Sequence, residues 1–447
     1  MKYSLETAWL FLFAVLSCGS NSPEAQENFS STFIPPDDPG LSTYRTAQFS
    51  VDWQLTARDQ VDWDTALHIP AIAVTTDENS RITETAGLWR GRPSDNVNVA
   101  GLAPLIRISY LDNTETITFH RADGEPHETN RFFGYRITRS EAGNSTVLEY
   151  LDEYGNTMVL QSGVARLQVE NEGEGWYIRT QYDVENTPAP ISPQSPIFRI
   201  RYLLDSQQNQ LATENTNNSG ESLPLYGEVY RIERSFNADG HLTEMKKLDE
   251  NGEVVEDPNN PGWQIYQRSP TGLTTGFRML GSNGEPFTDS YGTYSSEFEY
   301  DHYGRMTFMA WFDINGNPSA IGGVWANVTE FNDRHLITTA STLGSDSELM
   351  DVLGIAEKVF EKDSIGNNIS VTYFNQNGEP ARDQADVHQY RYIYGRHCRL
   401  LERQIWNSSN EPDTSTRGFH IERYLYDQDG NFLRTEYLDK TGEVFRN

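Results

Sequence analysis

Two turn signals twelve residues apart, repeated at near-constant spacing, limit what this chain can fold into more than any other feature. The clearest copy is Tyr300 to Pro318, YDHYGRMTFMAWFDINGNP. There Asp301-His302-Tyr303-Gly304 and Asp313-Ile314-Asn315-Gly316 bracket an eight-residue, mostly apolar run. An aspartate opening a turn hydrogen-bonds the backbone two residues on. A glycine three residues later takes a positive φ at no steric cost, as a type I turn closing with a bulge requires. Arg305 to Phe312 has the length of a strand and is too short for a helix. A looser loop with Gly322 and Gly323 follows, then a second strand ending at Phe331. Each repeat is a strand pair with one tight turn and one looser one.

The second turn recurs at Gly91, Gly124, Gly155, Asn186, Gly220, Gly252, Gly284, Gly316, Ser347, Gly378, Asn410 and Gly442, with gaps of 31 to 34 residues. Ser347 is a degenerate copy. The first turn recurs at Gly143, Gly240, Gly272, Gly304, Gly366 and Gly430, while Cys398 and His335 stand where its glycine would be. Thr76 to Thr83 (TDENSRIT) aligns with Tyr300 to Thr307. Twelve copies in register mark a repeat architecture. The turn glycines Gly240, Gly252, Gly284, Gly304, Gly316, Gly366, Gly378, Gly430 and Gly442 are its structural residues.

Before the first turn, Tyr294, Phe298 and Tyr300, then Tyr390, Tyr392 and Tyr394, then Tyr424 and Tyr426 alternate with Glu297, Glu299, Arg391 and Arg423. Period-two alternation predicts half-buried antiparallel strands, with the aromatics stacked along one face. The expectation is an all-β chain: an elongated antiparallel β-meander of about twelve tandem hairpins of roughly 32 residues. A six-bladed propeller ranks second, because blades usually need four short strands in about 40 to 50 residues.

The ends carry different signals. Residues 1–17 hold a lysine and an apolar run from Ala8 to Leu16, too short to span a bilayer, which reads as a signal peptide. Val15-Leu16-Ser17-Cys18-Gly19 resembles a bacterial lipobox. That resemblance implies cleavage before Cys18, acylation of its thiol and amine, and, with Gly19 next, an outer-membrane address. A freely secreted protein is the alternative. Cys398 then has no cysteine to pair with. Residues 18–44, rich in Ser, Pro, Asn and acids, read as a disordered tether. Residues 45–74, with Trp53 and Trp63, read as a cap over the first sheet edge, and 75–447 as the repeat array.

Composition narrows the partners. A net charge of -30 and a pI near 4.6 exclude a nucleic-acid partner. No HExxH, GxSxG, paired CxxC or P-loop occurs, so no enzyme is expected and no catalytic residue is assigned. His241, His302, His335 and His397 fall in turns and read as exposed turn residues rather than metal ligands. The turns at Asp249, Asp313 and Asp427 offer oxygens suited to calcium, but two or three per turn, short of the six to eight a calcium loop supplies. Turn chemistry is the reading, with no metal and no cofactor.

YDHYGRMT at 300–307 and YDQDGNFL at 426–433 resemble the YD (RHS-type) repeats and the MORN-variant hairpin repeats of bacterial envelope proteins. The resemblance spans 75–447, with a period longer than in those families. It implies an envelope repeat protein whose sheet either wraps into a shell or stays open, and it implies no catalytic residue. The functional expectation is a non-enzymatic, lipid-anchored binding or scaffolding surface for a glycan or an envelope protein. An envelope-assembly component is the second reading, and a secreted carbohydrate-active enzyme the third.

Overall fold

The computed structural model describes residues 41–445 apart from 90, 96, 142–144, 192–194, 258, 260, 333–335, 364–366, 396–399 and 427–431. Cys18, Gly143, His335, Gly366, His397, Cys398 and Gly430 lie outside the described residues. Among the described residues the regular structure is strand apart from one four-residue helix, Trp63–Ala66, and the ladders between strands are antiparallel. The expected β-meander of tandem hairpins is the fold.

The tight turns form as their sequence dictates. Asp301 N donates to Arg305 O at 3.0 Å and Gly304 N to Asp301 O at 2.9 Å, with Gly304 at φ 80°. The Asp301 carboxylate accepts from the backbone N–H groups of Tyr303 and Arg305 at 3.0 Å, and from Arg305 Nε at 2.6 Å. The aligned turn at Asp77 repeats this: Ser80 N to Asp77 O at 2.9 Å, and Arg81 Nε to Asp77 Oδ2 at 2.9 Å. Replacement of the glycine does not change the geometry. Ser80, Asn186, Ser347 and Asn410 hold φ of 61°, 68°, 66° and 63°. Asn tolerates this region better than most residues, whereas serine carries a steric cost there.

The described residues fall into two compact units, one running to Glu297 together with Asp313–Asn315, the other comprising Phe298–Phe312 and the chain from Gly316 on. In the second unit the hairpins Ala326–Phe331/Ile337–Leu343, Glu357–Lys362/Asn368–Phe374 and Gln389–Tyr394/Leu400–Trp406 each pair over six residues. Each has a bulge at the same place, between Glu330 and Phe331, Glu361 and Lys362, and Ile393 and Tyr394. Neighbouring hairpins join over only three pairs, as at Glu402–Gln404 with Ile421–Arg423. The loop between them is more ordered than its sequence suggested. Asp383–Val387 and, in the first unit, Asp289–Thr293 are further bulged turns, with Asp386 at φ 62° and Gly292 at φ 80°.

The first unit is organised around its N-terminal hairpin, Leu41–Phe49/Leu55–Val61. Its first strand begins within the stretch read as a tether, and Leu41–Tyr44 also pairs with Ile72–Thr75. The hairpin packs on the inner side of the sheet. Phe49 meets Tyr135 edge-on at 6.4 Å, and Arg139 Nη1 donates to the Asp52 carbonyl at 3.0 Å. Beneath it Ile106, Ile117, Ile137 and Leu148 are fully buried, with Phe119 beside them. The sheet curls far enough to bring a later turn back to the strand Leu55–Val61. Arg58 Nη1 donates to Gly240 O at 3.1 Å, and His241 Nε2 lies 2.6 Å from Asp59 Oδ1. These are side-chain contacts; among the described residues no ladder joins that strand to any but Leu41–Phe49. His241 is therefore not the exposed turn residue the sequence suggested: its side chain is turned onto the first hairpin.

Candidate functional site

Strand register sorts the side chains into two faces with different chemistry. On the outer face, charges pair across strands. Arg201 meets Glu172 at 3.0 Å and Glu214 at 3.1 Å, Arg231 meets Glu214 at 2.9 Å, and Arg423 meets Glu402 at 2.9 Å. Tryptophans lie among them under cations. Arg201 stands 4.5 Å over Trp176, Lys246 4.0 Å over Trp263 and Arg391 4.0 Å over Trp406. Trp263 also donates from its indole N–H to Glu244 at 2.7 Å. A guanidinium or ammonium over a ring face is attracted by the ring quadrupole, so each stack holds a flat side chain at a fixed angle. No single residue in the sequence announced these stacks, although the strand alternation placed Arg391 and Arg423 on the charged face.

The inner face carries the aromatics that the alternation had aligned. Tyr390 packs edge-on to Tyr373 at 6.2 Å and next to Tyr392, and its hydroxyl donates to Asp383 at 2.9 Å. Burial raises the Tyr392 phenol to about 12, and Tyr373 and Tyr390 are raised further still. The aromatic ladder is thus part of the interior, and some of its hydroxyls are engaged: Tyr424 donates to Glu422 and Tyr426 to the Leu400 carbonyl, both at 2.9 Å. A ligand meeting the repeats from outside meets the ion-paired face first.

The first unit's inner face changes character along the chain. Its early strands present isoleucine and phenylalanine. From Trp176–Tyr182 on, the inner positions mix isoleucines (Ile200, Ile232) with Arg179, Tyr202, Thr213, Asn215 and Arg234, and none of these is a carboxylate. Arg179 approaches the Tyr202 ring at 5.5 Å, and its charge also acts on the phenols of Tyr135 and Tyr150. Arg234 Nη1 donates to Thr213 Oγ1 at 3.1 Å, and burial pushes its guanidinium pKa down.

Of the turn glycines, Gly240, Gly252, Gly284, Gly304, Gly316, Gly378 and Gly442 have φ between 74° and 86°. The aspartates with oxygens suited to calcium use them on the backbone. Asp249 Oδ1 accepts from Asn251 and Glu253 N–H at 2.8 and 2.9 Å, and Asp313 Oδ1 from Asn315 N–H at 2.8 Å. Among the described residues no three His, Cys, Asp or Glu side chains are grouped as a metal would need. The Asp427 turn lies outside the described residues.

No family model matches the chain, and no curated protein is similar to it. Among solved structures it is similar to the Tc holotoxin pore of Photorhabdus luminescens, at 12% identity and a TM-score of 0.37, over 85% of this chain and 22% of that one. It is also similar to a TcdB2–TccC3 structure, at 10% identity and a TM-score of 0.30, over 82% and 23% of the two chains. A porin-like protein from Bacteroides uniformis is similar at 7% identity and a TM-score of 0.15, over 74% and 92%. The chain spans under a quarter of the length of the two toxin chains. At these scores the likenesses carry no functional conclusion.

Proposed function

We propose that the protein is a non-enzymatic repeat surface of the bacterial cell envelope, lipid-anchored through Cys18 and binding or scaffolding a glycan or a protein partner. The observation that supports a binding role is the outer face, where Trp176, Trp263 and Trp406 are held under cations and set among cross-strand ion pairs. Aromatic rings fixed among charged groups are what glycan and protein partners engage. Hairpins that lean on their neighbours suit such a role, because each added repeat extends the surface without rebuilding it. The anchor rests on the lipobox resemblance at Val15 to Gly19. An envelope-assembly component is the second reading, favoured by the same charge-paired face.

Two measurements test this. Full-length protein applied to cell-wall and envelope-polysaccharide fractions should be retained, and a Trp263→Ala, Trp406→Ala double variant should be retained several-fold less. Retention on no fraction, or turnover of any of them, overturns the binding reading. Intact mass of detergent-extracted protein should match a chain starting at Cys18 plus acyl groups, absent in Cys18→Ala; an unmodified chain cut elsewhere overturns the anchor.

A further inference from the structure

The inner face of the first unit holds a half-buried cation with no counter-charge among the described residues. Among the described residues Arg179 has no hydrogen-bond or ion-pair partner, and its Nε is buried without an acceptor. Burying an uncompensated charge is expensive, and structural arginines avoid it by pairing. The outer face of the same strands does pair its arginines, Arg201 and Arg231 on Glu214. Arg179 is left alone in a protein of net charge -30, where a carboxylate is the commonest neighbour to be had.

Its surroundings are built. Arg179 lies opposite Ile200 in the ladder, and Ile200 lies opposite Asn215. Asn215 is only 4% exposed, yet its Oδ1 has no hydrogen-bond partner. Tyr135 and Tyr150 stand 6.0 Å apart within reach of the guanidinium's charge, and Tyr202, opposite Tyr177 in the ladder, lies 5.5 Å beneath it. The groups are complementary in kind: a planar donor fork and a free amide acceptor, walled by packed aromatic rings.

We infer that Arg179, Asn215 and the Tyr135–Tyr150–Tyr202 surround form an inner-face site for the carboxylated sugar of an acidic glycan. The guanidinium fork pairs with the carboxylate through two parallel hydrogen bonds. Asn215 Oδ1 accepts from a ring hydroxyl. This site lies on the opposite face of the strands from the outer tryptophans, so either can fail alone.

Calorimetric titration of the full-length protein with trigalacturonate, maltotriose and triglutamate tests it. Trigalacturonate should bind, maltotriose should not, and Arg179→Gln should weaken trigalacturonate at least tenfold while the exposed Arg278→Gln leaves it unchanged. Arg179→Lys, which keeps the charge without the fork, should fall between. The Arg179→Gln variant should melt no lower than the parent, because it removes a half-buried charge that has no ion-pair partner among the described residues; this separates lost binding from lost fold. No binding of trigalacturonate, equal binding of triglutamate, or an unaltered Arg179→Gln overturns the site. Retention on envelope fractions surviving in Arg179→Gln leaves the outer-face reading standing.

Discussion

The early strands of the first unit and the hairpins of the second use the same turns and ladders but fill their interiors differently. In the first unit Ile106, Ile117, Phe119, Ile137 and Leu148 close around a hairpin that contributes Trp53 and Phe49. In the second, the buried cluster is Val387, Tyr390, Ile405 and Phe419, flanked by Tyr373, Tyr392 and Tyr437. A hydrocarbon interior needs a lid to seal it, and the N-terminal hairpin provides one. A tyrosine interior needs partners for its hydroxyls, and Asp383, Glu422 and the Leu400 carbonyl supply them. The comparison teaches that the repeat specifies backbone geometry, whereas the side chains under it are free to make either a sealed core or a polar-lined one.

The largest effect should come from opening the sealed core. Phe119 is 1% exposed and touches Phe132 and Tyr135 at ring distances of 5.8 and 5.3 Å. Phe119→Ala should cost about 3–5 kcal/mol by leaving a cavity. Hydrogen exchange should show lost protection across 105–182 with little change in 389–438. Equal loss in both places would mean that the two interiors share one cooperative transition.

A smaller effect of opposite sign is expected in the tyrosine-lined interior. Lys362 sits on the inner face beside Phe360, at 5.5 Å from that ring, and burial lowers its amine to about 8. The unfolded chain keeps that proton up to about 10.4. Between these values the unfolded state binds more protons, so stability rises with pH through the window. Lys362→Met should therefore stabilise the fold at pH 7 by about 1–3 kcal/mol, a gain fading by about pH 10.5. Denaturant midpoints of both proteins from pH 7 to 10.5 check this; a constant difference would show that lost packing, not charge, sets the effect.

Much of this was legible in the residues. The period of the glycines located every second turn, including Asn186 and Ser347, because a bulged type I turn leaves few alternatives for the residue at positive φ. Strand alternation sorted Tyr392 from Arg391 correctly. The hairpin Leu41–Val61 was not legible as a hairpin, since its turn at Ser50 to Gln54 has no glycine and places Trp53 at φ 60°. Nor was the His241–Asp59 contact, 182 residues apart in sequence, because only the curl of the sheet brings those residues together. Arg179 had the same problem: nothing local distinguishes an arginine facing a carboxylate from one facing three tyrosines.

The turns allow the finest form of the comparison, since both units share them. Gly316 at φ 80° has open space where a methyl group would stand, so Gly316→Ala tests backbone strain alone and should cost about 1–2 kcal/mol. Ser347, at φ 66° in the equivalent place, already bears that strain, and Ser347→Gly should return about 1 kcal/mol or less, offset by glycine's larger unfolded-state entropy. The aspartates add a pH term smaller again. The backbone N–H of Glu253 and that of Asn251 hold the Asp249 carboxyl below its ordinary value, and Asp77 is held down in the same way by Arg81. A depressed folded-state value contributes stability above the ordinary carboxylate range, lost as pH falls through the depressed one. Because Asp77 and Asp249 are exposed, the loss should stay local: protection of the Asn79 and Asn251 amides, relative to their intrinsic rates, should fall below about pH 4 before that of any ladder amide does. If ladder amides lose protection first, the turns follow the sheet rather than hold it, and the repeat's strongest sequence signal marks where the chain bends rather than what keeps it folded.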